Sequence, residues 1–358
     1  MCTNKKRWML VLVLALCMCI ALTGCNNNTP APSSSASASS GTSPSSSPDA
    51  SGETGKLPDR DLTFAIYLRA LSQPYYKYEH DGAVQAMKDH NEKTGRNDKL
   101  IVYDHNGDLQ REINNVEDSI NTKVDLGIIN PIDIVGSTGC IEALVRAGIP
   151  VIDIDGEAQN SDKASLVIVS NNAEAGRLQM EKLCEKMGGK GNIIMFTDST
   201  NANSKIRYDG AMEELKKYPD VKVLETYDGE TSVEKCLDVM QNFMQSYQSE
   251  GIDGVWTFSD TAANGAVSAT VGTPLEGKII ITGIDGNVIN LGLIRDGKQY
   301  GSAAQFPFQL GYQGVEYGFR IMAGEKFDEK IFVDVEWVDK NNVKEFIDVA
   351  EAQGQQVG

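Results

Sequence analysis

The sequence predicts an α/β fold of two doubly wound, parallel-sheet lobes with a ligand cleft between them. From Asp61 onward, short β-branched runs alternate with longer amphipathic stretches, the pattern of parallel strands joined by crossover helices. The runs are apolar almost throughout, as in strands covered by helices on both faces. They are also too many for one comfortable sheet, and they divide into two halves at residues 62–169 and 171–305. Open sheets of this kind bind ligands at the carboxyl ends of their strands, so a ligand between two of them is covered from both sides.

Before the folded part, Lys5, Lys6 and Arg7 precede the apolar run 9–22. A basic start, a short apolar core and small residues read as a secretory signal, and the run is shorter than the ~20 apolar residues of a membrane span. Leu22-Thr23-Gly24-Cys25 resembles the lipobox of bacterial lipoproteins. That implies cleavage before Cys25 and acylation of the new N-terminus, a firm anchor because several chains share one residue. Residues 26–56 are an asparagine tract followed by a Ser/Ala/Pro/Gly-rich stretch. They bury too little apolar surface to offset ordering entropy and are expected to form a disordered spacer. The boundaries are therefore 1–24 for the signal and 25–56 for the lipidated cysteine and linker.

In the first half, strands are expected at 62–68, 100–103, 126–130, 151–154 and 166–170. In the second they are expected at 192–196, 221–226, 254–258 and 278–284. Weaker runs at 301–305 and 331–338 are free to join either half. Between the strands, Leu109, Ile113, Val116 and Ile120 step by 4, 3 and 4 along one helix face, and Leu237, Met240, Phe243 and Met244 mark another.

The formal charge is −17, and removal of residues 1–24 takes away three cations and no acid, leaving −20. So acidic a chain is a poor partner for nucleic acid or anionic lipid. Of seven cysteines, Cys2, Cys17 and Cys19 leave with the signal and Cys25 takes the lipid. Cys140, Cys184 and Cys236 remain, widely spaced on apolar faces of candidate helices, where buried thiols are expected and one disulfide stays open. With only His80, His90 and His105, and no Cys-x-x-Cys, neither metal nor cofactor is expected.

Polar and aromatic residues gather in loops at strand ends: Arg69 to Tyr76 leading into Asp81-Gly82, Asn130 to Asp133, Asp155-Gly156, Ser204 to Gly210, Ser259-Asp260, Asp285-Gly286, and Gln305 to Gly311. Taken in this order and spacing, from residue 62 to about 324, they resemble the periplasmic sugar-binding proteins of the ribose-binding type, the solute receptors of ABC importers. The resemblance implies two lobes joined by a three-segment hinge, crossing near 169–171, Gln305 and 325–330. The lobes would then comprise 57–169 with 306–328, and 170–305 with 329–358. It implies stacking aromatics at Tyr75 and Tyr76, a polar contact at Gln73, acceptor carboxylates at Asp155 and Asp285, a forked arginine at Arg207 and an amide at Gln305. Ser259 stands where the family has an asparagine. The chemistry suits a sugar, whose C–H faces meet aromatic rings and whose hydroxyls meet carboxylates and donors. The same residues also admit structural readings: tyrosines stapling a helix, Asp-Gly turns, and an exposed helical arginine.

The family pattern is broken at three places. An arginine follows the first-lobe carboxylate where this chain has Gly156, a phenylalanine aligns with Thr231, and a small hydroxyl residue aligns with Arg69. An uncompensated buried carboxylate is costly, so Arg69 is expected to replace the guanidinium missing at Gly156. Thr231 implies more room, hence a hexose, a polyol or a modified sugar.

Among rivals, Met187 to Gly191 lacks the G-x-x-x-x-G-K-[ST] spacing of a phosphate loop and reads as a helix C-cap. No nucleophile–base set stands out, so no catalysis is expected. A sugar-responsive regulator would need a DNA-binding domain where the signal and spacer stand. The sequence therefore points to a monomeric, membrane-tethered extracytoplasmic receptor that hands a small sugar to an importer's permease. A sensor presenting its closed form to a histidine kinase or chemoreceptor is the alternative.

Overall fold

The computed structural model describes residues 55–199, 201–229, 232–327, 330–352 and 355–357. The signal, Cys25, nearly all of the spacer, and Thr231 lie outside the described residues.

The first lobe is built from β1 (Thr63–Leu68), α1 (Pro74–Thr94), β2 (Lys99–Asp104), α2 (Leu109–Thr122), β3 (Leu126–Ile129), α3 (Thr138–Arg146), β4 (Val151–Ile154) and β5 (Leu166–Ser170). The second runs through α4 (Asn172–Lys186), β6 (Lys190–Thr197), α5 (Ala202–Leu215), β7 (Asp220–Asp228), α6 (Val233–Ser246), β8 (Gly254–Thr257), α7 (Asp260–Thr270), β9 (Ile280–Asp285), α8 (Val288–Arg295) and β10 (Gly301–Ala304). The chain then returns through α9 (Pro307–Met322) and β11 (Ile331–Val333) before ending in β12 (Glu336–Asp339) and α10 (Val343–Ala352).

Two six-stranded sheets result, ordered β2-β1-β3-β4-β5-β11 and β7-β6-β8-β9-β10-β12. All pairings are parallel except β12, which lies antiparallel to β10. Each strand's apolar residues face both ways. In β1, Phe64, Ile66 and Leu68 pack with Leu310, Val315 and Phe319 of α9, while Ala65 and Tyr67 pack with Val116, Ile141 and Leu144 of α2 and α3. These five side chains of β1 are fully buried, and each large one contributes roughly 1.5–3 kcal/mol of apolar burial. The second lobe repeats the plan, with Ile193 and Met195 under α4 and α5, and Ile194 and Phe196 under α6 and α7. Cys140, Cys184 and Cys236 are buried in these layers, and Cys140 and Cys184 are free thiols.

Glycines set the helix pairs that bracket the cleft. A Cβ on Gly82 of α1 would strike the carbonyl oxygen of Phe308, and one on Gly311 of α9 would strike that of Glu79. The second lobe mirrors this: Gly176 of α4 abuts the Arg207 carbonyl, and Gly210 of α5 abuts that of Ala173. Backbone therefore meets backbone, and the first turns of α1 and α5 are held close to their sheets.

The chain crosses between lobes at Asn171, at Gln305–Phe306 and at Asp334–Val335. The third crossing lies later than the expected 325–330, and the expected single strand at 331–338 is two. Ile331–Val333 pairs with β5 in the first sheet, with Val333 in that lobe's core, whereas Val335 and Trp337 pack into the second. Asp334 divides one apolar run between two sheets, so 331–333 belongs with the first lobe.

Candidate ligand cleft

In each sheet the strand order turns about one strand, β1 in the first lobe and β6 in the second, and the crevice of a doubly wound sheet opens at such a switch. The first lobe presents Arg69 after β1, Tyr75, Tyr76 and Glu79 from the first turns of α1, Asn130 after β3 and Asp155 after β4. The second presents Asn172 at the start of α4, Arg207 from α5, Ser259 after β8, Asp285 at the end of β9 and Gln305 after β10.

All of these groups except Arg69, Tyr76 and Ser259 form a continuous hydrogen-bond network across both lobes. Asn130 Nδ2 donates to Asp155 Oδ2 at 3.2 Å and to both oxygens of Glu79 at 2.8 and 3.1 Å. Tyr75 Oη donates to Asp155 Oδ1 at 2.9 Å and reaches Gln305 Oε1 at 3.4 Å. Gln305 Nε2 donates to Asp285 Oδ1 at 2.7 Å. Arg207 Nη1 reaches the same oxygen at 3.4 Å while donating to the Phe258 carbonyl at 2.7 Å, and its Nε donates to Asn172 Oδ1 at 2.8 Å. The tyrosine rings meet edge to face, with centroids 5.4 Å apart.

Burial sets the electrostatics. Asp285 is pushed up to about 6, chiefly by desolvation, with the Arg207 charge opposing. Behind it, Asp260 is pushed up to about 8 by desolvation and by the neighbouring Asp285 charge. Asp260 accepts from Asn287 N, Ser302 Oγ and Gln299 Nε2, which ties the loop after β9 to the sheet. Glu79 is held well above the carboxylate range, first by desolvation and then by the Asp155 charge, and desolvation likewise raises Tyr75 and Tyr76.

Backbone conformation singles out the two carboxylates of the network. Asp155 has φ 63° and Asp285 φ 130°, values that side-chain-bearing residues rarely adopt and that cluster at functional sites. At Asp155 the turn is closed by Gly156 N donating to Ile154 O at 2.8 Å, a strained three-residue turn that aims the carboxylate off the strand end.

Of the residues expected from sequence, Tyr75, Asp155, Arg207, Asp285 and Gln305 join the network, with Tyr76 packed beside it. The Asp-Gly pairs are turns as well as network members, and Arg207 is 5 % exposed rather than a surface charge. Gln73 is exposed at the N-cap of α1 and makes no side-chain cap. Ser259 caps α7, its hydroxyl accepting from Ala262 N at 3.3 Å. Arg69 does not take the place expected for it: its Nη2 donates to the Ile132 carbonyl at 2.9 Å and its guanidinium lies 5.8 Å from the Tyr76 ring centre. The loop after β3 offers a carbonyl near the strand end, and Arg69 satisfies that instead of Asp155.

Four participants were missed. Asn130 lay inside a recognised loop, and Asn172 directly follows the first crossing. Glu79 reads as a solvated helical acid, yet its i+4 spacing places it on the same face of α1 as Tyr75. Asp260 directly follows Ser259, and nothing in its sequence spacing sets it apart from an ordinary acid in the first turn of a helix. A separate pocket of about 300 Å³ opens on the hinge side of Asp285 and Gln305, between Phe306, Phe308 and α10. It lacks the first-lobe carboxylate and tyrosine pair.

A model of the periplasmic binding protein domain matches residues 64–326. The ribose import binding protein RbsB of Salmonella typhimurium is 27% identical over 278 residues, covering 78% of this chain and 90% of that protein. The D-apiose import binding protein of Actinobacillus succinogenes is 25% identical over 284 residues, covering 78% and 89%. Among solved structures, an ABC transporter solute binding protein of Bacillus halodurans with bound myo-inositol superposes with a TM-score of 0.73 at 22% identity, covering 83% of this chain and 99% of that one.

Proposed function

The chain belongs to the periplasmic binding protein domain family, and from that premise we propose that it captures a monosaccharide or related polyol between its lobes and delivers it to an ABC importer. Members of this family bind solutes for transport and are not enzymes. The observation that carries the sugar reading is the Asn130–Asp155–Tyr75–Gln305–Asp285–Arg207 network. It lays out alternating acceptors and donors from both lobes beside two tyrosine rings, the complement of a hydroxyl-rimmed ring with C–H faces. Bonds to both lobes favour the closed form, and a ligand shifts that equilibrium only by its differential affinity for it.

The receptor works outside the cytoplasm, and among the described residues no helix is long and apolar enough to cross a membrane. In this reading Cys25 carries the lipid, the spacer lifts the lobes off the surface, the chain acts as a monomer, and the closed form docks on a permease. A thermal-shift screen of the purified protein against pentoses, hexoses, polyols, nucleosides and amino acids tests the assignment, because a ligand that binds the native state raises its melting temperature. Hits among sugars or polyols support it. Hits confined to nucleosides or amino acids keep the fold and overturn the sugar.

A further inference from the structure

The pocket of about 300 Å³ at the hinge has a volume that suits a small organic molecule. Its walls come from both lobes. Tyr78 of α1 and Phe308 of α9 belong to the first, Glu336 of β12 with Glu345 and Phe346 of α10 to the second, and Phe306 to the crossing between them. Phe306 sits at the edge of the first lobe's core and Phe346 at the edge of a second-lobe cluster. Their rings lie 23° from parallel, with centroids 6.3 Å apart. Four aromatic rings thus line one small cavity, and each is only partly buried, so each keeps surface to offer an occupant.

Charge selects among occupants. Among the described residues, no lysine, arginine or histidine lines the pocket. Lys344, next to Glu345 in sequence, is held by Asp348 at 2.6 and 2.7 Å. Of the three acids on the walls, Asp285 already faces Arg207 Nη1 at 3.4 Å. Glu336 and Glu345 are exposed, and neither is in an ion pair among the described residues. An anion is repelled here, and a neutral apolar molecule leaves the carboxylates unused. A cation with an apolar skin uses both, because the negative faces of the rings attract it and the acids supply its counter-charge.

We propose that the hinge pocket is a second binding site, distinct from the sugar cleft, for a small organic cation of the trimethylammonium kind. Such a nitrogen has no N–H to satisfy, and its methyl groups can rest on the rings of Tyr78, Phe306, Phe308 and Phe346.

Isothermal titration of the purified protein at pH 7 with choline and with benzyltrimethylammonium tests the proposal, with 3,3-dimethyl-1-butanol as the neutral isostere of choline. Choline is expected to bind one to one and roughly tenfold more tightly than its isostere. Phe346→Leu keeps apolar bulk and removes a ring, so it should weaken choline roughly two- to thirtyfold. The exposed Glu345→Gln should weaken it roughly twofold, and Asp155→Asn in the sugar cleft should leave it unchanged. An isostere that binds as well as choline overturns the cationic ligand. Choline binding that survives both pocket variants intact, or that falls with Asp155→Asn, overturns the placement at the hinge. If Phe346→Leu does not fold, Glu345→Gln and Asp155→Asn decide. A folded protein that takes up neither cation overturns the site, and the sugar-receptor reading stands or falls separately by its own screen.

Discussion

Asp155 and Asp285 occupy strained backbone, one in each lobe, and both are bonded to groups that a ligand hydroxyl can replace or join. Asparagine tolerates positive φ as aspartate does, so Asp155→Asn removes the charge while keeping the turn. A hydrogen bond to a charged group contributes about 1.5–3 kcal/mol, so the variant is expected to lose roughly tenfold to a hundredfold in sugar affinity by calorimetry, with little change in melting temperature. Asp285 supplies a pH signature. Its folded value of about 6 exceeds the ordinary 3.8, so its contribution to stability is fully present below 3.8 and is lost as pH rises towards 6. A sugar hydroxyl donates to the ionised form and so offsets that loss. The rise in melting temperature caused by a saturating sugar should therefore be larger at pH 7 than at pH 5, and Asp285→Asn should flatten the difference. Equal shifts at both pH values in the wild type would remove Asp285 from the contact.

Helix pairs carry those residues into place. Gly176 lets α4 lie against the backbone of α5 at Arg207 itself, so packing there and guanidinium placement are one property. Gly176→Ala should push the helices apart, with overpacking that costs about 1–3 kcal/mol, and the displaced arginine should weaken sugar binding along with the fall in melting temperature. Gly139 in α3 has open space around its Cβ position, so Gly139→Ala should leave binding unchanged and stability equal or slightly raised. The elements were legible because their physics is local: apolar runs announce buried parallel strands, and the 4-3-4 spacing announces α2. The antiparallel entry of β12 and the split at Asp334 were not, since a short apolar run does not say which sheet will accept it. Glu79 was hidden by the same limit. Its sequence neighbours Lys77, His80 and Asp81 are polar, and only the approach of α9 and Asn130 buries it. Arg69 does not bond Asp155, because the Ile132 carbonyl and the Tyr76 ring, contacts invisible in sequence, hold its guanidinium.

At the scale of the whole molecule, three crossings join the lobes, and Gln305 serves as both hinge segment and site residue. Tyr75 Oη carries one proton, which it gives either to Asp155 in its own lobe or to Gln305 Oε1 at the crossing, and the second choice favours closure before any ligand arrives. For a two-state receptor the apparent affinity is the closed-form affinity scaled by the closed fraction. Tyr75→Phe keeps the ring against which a sugar stacks and removes only the hydroxyl. One net hydrogen bond is worth about 0.5–1.5 kcal/mol, so the variant should bind roughly two- to tenfold more weakly. Its ligand-free radius of gyration in small-angle scattering should exceed that of the wild type, while saturating sugar should bring both proteins to the same compact value. If sugar leaves the wild-type radius unchanged, the lobes do not close on their cargo, and a partner membrane protein would have to recognise something other than closure. If the radii agree but affinity still falls, Tyr75 acts on the ligand directly rather than through the equilibrium between open and closed forms.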